Sequence, residues 1–511
     1  MNLINKISNY ASSCPDRAAV RCGNLSLSYS ELDIWSSRLA LELQNICGDN
    51  KAPVAVYGHK HPFMLVCFLA CVKSGRAYCP IDVSVPDSRT EMILEMLDSP
   101  VVLALSPVCA DCGDKQVLSL EDVECVISKE QEIHGSQKEL QPVSEDDIFY
   151  IIFTSGSTGT PKGVTITAGN LGCFLDWSVA LGSSRQEKEG KVFLNQAPFS
   201  FDLSVMDMYT CLAVGGTLWC LTKEVQQDYR KLIPALKNSG AAVFVSTPSF
   251  ADVCLSEPAF SQNNLPGLSL FLFCGETLTN RTARKLMERF PDADIFNTYG
   301  PTESTVAVTW TRVTREMADS DNPLPVGRAK AGTRIFIVDS EGKPLPDGEK
   351  GEIILTGDTV SPGYYKNPEQ TEKHFFSYTE NALQVRGYRT GDKGYMENGM
   401  LYYCGRMDLQ IKLHGYRIEL EDIENNLLRL SQVEKAAVMP NIRNGQTKSI
   451  SAFLVCPGMT EPAQICSDKL KEKLRSFLPE YMIPKKFFFL DYLPMTGNGK
   501  IDRKALGSLK P

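Results

Sequence analysis

The run Thr154-Ser155-Gly156-Ser157-Thr158-Gly159-Thr160-Pro161-Lys162-Gly163 carries the strongest chemical signal in the chain. Its residue types suit an anion. Glycines let the backbone approach closely, successive N–H groups can converge on one point, and the hydroxyls and Lys162 add donors. The apolar stretch Ile148 to Phe153 leads directly into it, which predicts a buried strand delivering a phosphate loop. No Gly-Lys pair in the chain is followed by Ser or Thr, so this is not a Walker A loop, and it does not fit the dinucleotide fingerprint either. A flexible Ser/Gly surface turn is the competing reading.

Two further features invite chemistry. Asp202 stands in the apolar segment Phe199-Ser200-Phe201-Asp202-Leu203-Ser204, where an acid is costly to bury unless a cation meets it. The alternative is a helix cap. Cys109-Ala110-Asp111-Cys112 has metal or redox spacing, but there is no second such pair, and nearby His134 lies in a polar stretch. Five histidines without a HExxH motif argue against a zinc hydrolase.

The elements that must position these residues follow a βα rhythm. Ser30 is the expected cap of an early helix, Val54 to Tyr57 reads as a buried strand, and Pro62 opens the next helix. The apolar run Phe63 to Val72 is too short to span a bilayer and reads as a buried helix. Ser128 to Asp147 is polar, as a surface excursion would be, and βα alternation resumes from Lys191 to Ser249. From Thr333 to Tyr403 the pattern is mostly β; a helix is expected over Glu419 to Leu430 and strands at 436–438 and 451–455. A chain of 511 residues exceeds one core, so at least two domains are expected, within an α/β fold. A net charge of -8 argues against nucleic acid or an anionic membrane as partner. The start lacks a secretory pattern, so the 17 cysteines read as reduced thiols of a cytoplasmic protein.

Taken in order, five segments give the chain a family likeness: the loop at 154–163, Asn297-Thr298-Tyr299-Gly300-Pro301-Thr302-Glu303, Tyr388-Arg389-Thr390-Gly391-Asp392, Gly405-Arg406-Met407-Asp408-Leu409-Gln410-Ile411-Lys412, and Asn498-Gly499-Lys500-Ile501-Asp502. With these, the chain resembles the adenylate-forming enzymes, which include acyl-CoA synthetases, luciferases and peptide-synthetase adenylation domains. The resemblance implies a large N-terminal domain over 1–407, built of α/β subdomains and a β-rich one, and a small mobile α+β domain over 408–511 pivoting at Asp408. It implies ATP contacts from Thr154, Ser155, Gly156, Lys162, Asn297 to Thr302, Asp392, Tyr403, Cys404, Gly405 and Arg406, Mg²⁺ held by Glu303, and Lys500 as the catalytic lysine. The chemistry agrees: Tyr299 offers a face to a purine, Glu303 a hard oxygen to the metal, and Asp392 two acceptors to ribose hydroxyls. Taken singly, Asp392 and Arg406 could be a surface ion pair, and Lys500 a solvated lysine.

Members of the family that use amino acids carry an acid at the position of Asp202 to pair with the ammonium. The segments around Asp202, Ser246 to Phe250 and Cys274 look most like members that activate D-alanine for a separate phosphopantetheinylated carrier protein, in teichoic acid D-alanylation. By that pattern Cys274 and Val306 line the amino-acid pocket with Asp202 and Lys500; Cys274 as an ordinary buried thiol is the bland alternative. The preference for the D enantiomer rests on the resemblance alone. With no carrier segment after Lys500, the thiol acceptor is expected in trans. The rivals are an enzyme for glycine or L-alanine, and a nucleotide-binding regulator without turnover.

Overall fold

A computed structural model describes residues 2–129, 140–156, 160–182, 188–443, 446–458, 462–495 and 501–508. Lys500, residues 157–159 of the phosphate loop, and His134 lie outside these. The expected α/β architecture is present, with a large N-terminal domain and a small C-terminal one.

Short runs of Val, Ile, Leu and Phe form strands buried on both faces, as parallel sheets flanked by helices require. One sheet joins, edge to edge, Gly363–Tyr364, Lys162–Thr167, Ile148–Thr154, Tyr78–Ile81, Val54–Tyr57, Val101–Ala104 and Gln116–Ser119. A longer one runs from Arg328–Ala329 through Thr309–Arg312, Asp294–Tyr299, Leu270–Phe273, Val243–Ser246, Val192–Asn195, Thr217–Cys220 and Ala18–Cys22 to Leu25–Ser28. Side chains of both sheets share one core, which also takes in the apolar helix Phe63–Lys73, buried from Met64 onward as its composition predicts. The helix expected to be capped by Ser30 is capped by Ser28 instead. Ser28 Oγ accepts from Glu31 N–H and the Glu31 carboxylate accepts from Ser28 N–H, the Ser-x-x-Glu box that a serine at 30 cannot form with Glu31.

The β-rich stretch forms an antiparallel sheet of Thr333–Val338, Gly351–Gly357, Leu383–Glu397 and Phe375–Glu380, with Met400–Arg406 paired to Leu383–Glu397. The small domain packs the strands Lys435–Arg443, Gln446–Val455 and Lys486–Phe489 against helices Leu420–Leu428 and Ala463–Leu474 around a separate core. Packed into the same core, Gln410–Leu413 and Tyr416–Glu419 pair as a two-stranded hairpin whose turn, at His414 and Gly415, requires positive φ. Sequence periodicity did not single out this hairpin.

Topology places the site. Val243–Ser246, Leu270–Phe273 and Asp294–Tyr299 are parallel neighbours, so Thr247, Cys274 and Gly300 leave the sheet at one edge. Carboxyl ends of parallel strands are where α/β sheets bind ligands.

Candidate active site

Two adjoining cavities open at that edge. Gly275, Gly300, Arg406, Gln410 and Lys412 line both and form the wall between them.

The first cavity holds Asp202, Cys274 and Val306 together. Asp202 begins the helix Leu203–Ala213, but its side chain makes no capping bond; Oδ2 instead accepts from Thr302 Oγ1 at 2.7 Å. Burial pushes its carboxyl above the usual range, a cost that a ligand cation would relieve. Cys274, fully buried, points its sulfur at the Val306 carbonyl at 3.6 Å. That carbonyl is aimed there by a rare conformation: Thr305 and Val306 both have positive φ, 58° and 68°, although both are β-branched. Such strain persists only where surrounding structure enforces it, and it gathers at functional sites. Pro301, Thr302, Thr154 and Ser155 also face this cavity. It continues past them to Val85, Arg89 and Ile93 of the large domain and Tyr481 of the small one.

The second cavity is lined by Asn297, Thr298, Tyr299, Tyr403 and Gly405. Gly300 must be glycine, since a Cβ there would stand 2.6 Å from the Ala307 Cα. Tyr299 donates to Asp392 Oδ2 at 2.5 Å, while Arg406 Nη1 reaches Asp392 Oδ1 at 2.9 Å and the Thr390 carbonyl at 2.8 Å. Arg406 also holds Asp408, so one guanidinium ties the expected ribose acid to the expected pivot. Asp392 is buried, which removes the surface-pair alternative. Cys404 departs from expectation: it is exposed and lines neither cavity, because neighbours on a strand face opposite sides and Tyr403 and Gly405 take the inner positions.

The strands flanking the phosphate loop pair antiparallel, Thr154 with Lys162, so a strand and not a helix follows it. A Cβ on Gly156 would meet the Thr160 carbonyl at 2.2 Å, and Lys162 is buried with its ammonium 5.5 Å from the Tyr364 ring. Glu303 is wholly buried. Burial alone would raise its pKa, but the Arg417 guanidinium, with the Tyr364 hydroxyl, brings it down to about 2. Arg417 Nη1 lies 2.7 and 2.6 Å from the two Glu303 oxygens, and the Tyr364 hydroxyl donates to Oε1 at 2.8 Å. An ionised hard carboxylate fits Mg²⁺; with no converging set of three ligating side chains among the described residues, such an ion would be shared with substrate phosphates. Arg417 comes from the small domain and occupies that position here.

Sequence reasoning missed the hairpin. Ser155 Oγ donates to the Arg417 carbonyl at 2.9 Å and accepts from Glu419 N–H, and Gly415 N–H donates to Glu276 Oε1 at 2.9 Å. Tyr416 stacks on Tyr481 at 3.7 Å and meets the Phe201 edge at 4.4 Å. The signal was local: Lys412 and Arg417 flank a His-Gly turn directly after the Arg406–Asp408 segment. Met495 and Ile501, the described residues nearest Lys500, line neither cavity.

A loop rich in glycine and hydroxyls, two adjoining cavities, the buried acid Asp392 lining the first of them and the buried carboxylate of Glu303 are parts that an enzyme acting on an adenine nucleotide needs. The chain belongs to the AMP-binding enzyme family: the family pattern matches residues 7–365, and that of the AMP-binding enzyme C-terminal domain matches 422–500. It is 47% identical to a D-alanine–D-alanyl carrier protein ligase of Bacillus licheniformis, over 99% of both chains. To one from Listeria welshimeri it is 45% identical over 99% of this chain and 98% of the other. Among solved structures, the holo form of an NRPS protein containing adenylation and PCP domains superposes with a TM-score of 0.82 at 26% identity, over 99% of this chain and 84% of that one.

Proposed function

We propose that the chain activates D-alanine with ATP as D-alanyl-adenylate and transfers it to the phosphopantetheine thiol of a separate carrier protein, for D-alanylation of teichoic acids. The observation that carries this is the small pocket where Asp202 stands half-buried beside Cys274 and Val306, in a chain close to half identical to ligases named for D-alanine. In the first step a carboxylate oxygen of the amino acid attacks the α-phosphorus and pyrophosphate leaves. Asp202 holds the ammonium, Asp392 and Arg406 the ribose, and Tyr299 and its neighbours the base. The phosphate loop with Lys162 binds the phosphates, and Lys500 stabilises charge growing at the α-phosphate. Glu303 would hold Mg²⁺, which supplies charge neutralisation on the phosphates. In the second step the thiol displaces AMP. Its approach is supported by the arm of the first cavity that reaches the domain junction at Arg89 and Tyr481.

The large domain spans 1–407 and the small domain 408–511, with the pivot at Asp408; the separate small-domain core and the Arg406–Asp408 contact support this division. The cysteines are thiols, with no disulfide among the described residues, which supports a reducing, cytoplasmic setting. Amino-acid-dependent pyrophosphate exchange across D-alanine, L-alanine, glycine and D-serine tests the reading: D-alanine should lead, and a clear preference for another amino acid would replace it.

A further inference from the structure

Beside the segment that carries Asp202 lies a buried charge cluster that the reaction itself does not use. Strand Val192–Asn195 ends there, and residues 196–202 cross to the helix Leu203–Ala213. Lys60 comes from the other sheet, just after strand Val54–Tyr57. It is buried, and its ammonium donates to the Asn195 side-chain carbonyl and to the Ala197 backbone carbonyl. The same ammonium stands 4.6 Å from the centroid of the Phe199 ring. Asn195 Nδ2 in turn donates to Asp207 Oδ1 at 2.8 Å. Asp207 is wholly buried, and its second oxygen has no donor among the described residues. One lysine therefore holds the segment at Asn195, Ala197 and Phe199, and Asn195 ties its start to the helix at its end.

Stability is a poor reason for such a cluster. Burial pushes the Asp207 carboxyl well above the usual range, against the pull of Lys60 and Asn195, and pushes the Lys60 ammonium below its own. Buried ion pairs gain little over apolar side chains of similar volume, because desolvation offsets their attraction. What directional bonds supply is geometry, since each donor fixes where its acceptor stands. Lys60, Asn195 and Asp207 line neither cavity, so contact with substrate does not explain them either. The segment they hold ends on Asp202, whose Oδ2 meets Thr302 Oγ1 at 2.7 Å. We infer that Lys60 is a positioning residue for amino-acid binding: with Asn195 and Asp207 it braces residues 195–202 so that the Asp202 carboxylate faces the ammonium subsite. This rests on the proposed function and deepens it, because it needs Asp202 to be the partner of the amino-acid ammonium. The brace is specific to that substrate, since Tyr299, Asp392 and Arg406 stand on other strands.

Pyrophosphate exchange by the full chain gives KM for the amino acid and for ATP separately, with whichever small amino acid the wild type activates. Lys60→Met keeps most of the side-chain bulk and removes the ammonium. A shift of about 1 Å in a positioned group can cost about 10²-fold, so KM for the amino acid should rise about tenfold or more, with KM for ATP within about twofold of wild type. Lys60→Met leaves Asp207 without its counter-ion. Lys60→Met/Asp207→Asn removes both charges and should melt closer to the wild type. Its KM for the amino acid should stay raised, a split that a merely structural cluster would not produce. The effect should also run through Asp202: in an Asp202→Asn background, Lys60→Met should change kcat/KM for the amino acid by less than about twofold. A wild-type KM for the amino acid in either folded Lys60 variant overturns the assignment, as does an equal rise in KM for ATP or an undiminished effect in the Asp202→Asn background. Failure of both Lys60 variants to fold makes the cluster a structural support and overturns it too. If the wild type exchanges pyrophosphate with no amino acid, the proposed function fails; if it does and the variants match its KM, only the role of Lys60 fails.

Discussion

Asp202 is the residue whose environment most constrains its role. Its carboxyl is half-buried, loses solvation and accepts one hydroxyl, an arrangement that becomes favourable once an ammonium enters. Asp202→Asn should therefore raise KM for the amino acid by the cost of breaking a buried charge pair, about 2–5 kcal/mol, and leave KM for ATP nearly unchanged. Because burial raises its pKa, Asp202 takes up a proton in milder acid than an ordinary aspartate. The protonated form cannot pair with an ammonium, so KM for the amino acid should rise as pH falls, and Asp202→Asn should flatten that profile. Cys274 tests the other wall. Its sulfur packs between the Asp202 pocket and the Val306 carbonyl, so Cys274→Ala enlarges the pocket by one heavy atom. Discrimination on that scale is roughly 1–3 kcal/mol, which predicts a partial gain in kcat/KM for L-alanine with D-alanine activity little changed. The D/L ratio of exchange in the two proteins is the measurement, and an unchanged ratio would place chirality elsewhere.

Among the elements, the hairpin of Gln410–Leu413 and Tyr416–Glu419 matters most. Its turn fits only because Gly415 has no side chain: φ is 85°, and a Cβ would stand 2.6 Å from the Thr247 Cγ2. In Gly415→Ala the left-handed conformation alone costs roughly 1–2 kcal/mol, before the contact with Thr247 is counted. The hairpin should then seat poorly between Glu276 and Ser155. Transfer to pantetheine is expected to fall at least tenfold while pyrophosphate exchange persists. Loss of exchange to the same degree would show that the hairpin serves both steps.

At the scale of the whole molecule, the two domains meet through charge. Arg417 holds both oxygens of Glu303, and Arg89 meets Asp422 at 3.3 Å, each pair with one partner from each domain. A metal ion at Glu303 would compete with the Arg417 guanidinium for the same two oxygens, so by linkage magnesium pyrophosphate should oppose this arrangement, and removing it should restore docking. Small-angle scattering or fluorescence transfer between labels on the two domains would follow the change. Arg417→Ala should blunt the response to magnesium pyrophosphate, and a full response in that variant would sink the idea. Acid bears on the same contact. Glu303 has a folded pKa of about 2 against an ordinary 4.5, so the pair's contribution is complete above about pH 4.5 and is lost only as pH falls towards 2.

The sequence by itself determined what is written in local pattern. Apolar runs such as Val54–Tyr57 and Phe63–Lys73 had to be buried, and the turn chemistry of the loop after Phe153 forced a break there. Asp202 was legible because a lone acid among phenylalanines violates burial unless something compensates it. What compensates it was not legible, because Thr302 lies a hundred residues away along the chain. Tertiary structure alone decided that Tyr299 and Arg406 share Asp392, that Cys404 faces outward, and that Lys412, Gln410 and Arg417 enter the site. The physical reason is the range of the forces involved. Hydrophobic periodicity acts through neighbours in sequence and leaves its record there. The ion pairs and hydrogen bonds that assemble this site act between elements brought together only when the sheets close and the small domain docks.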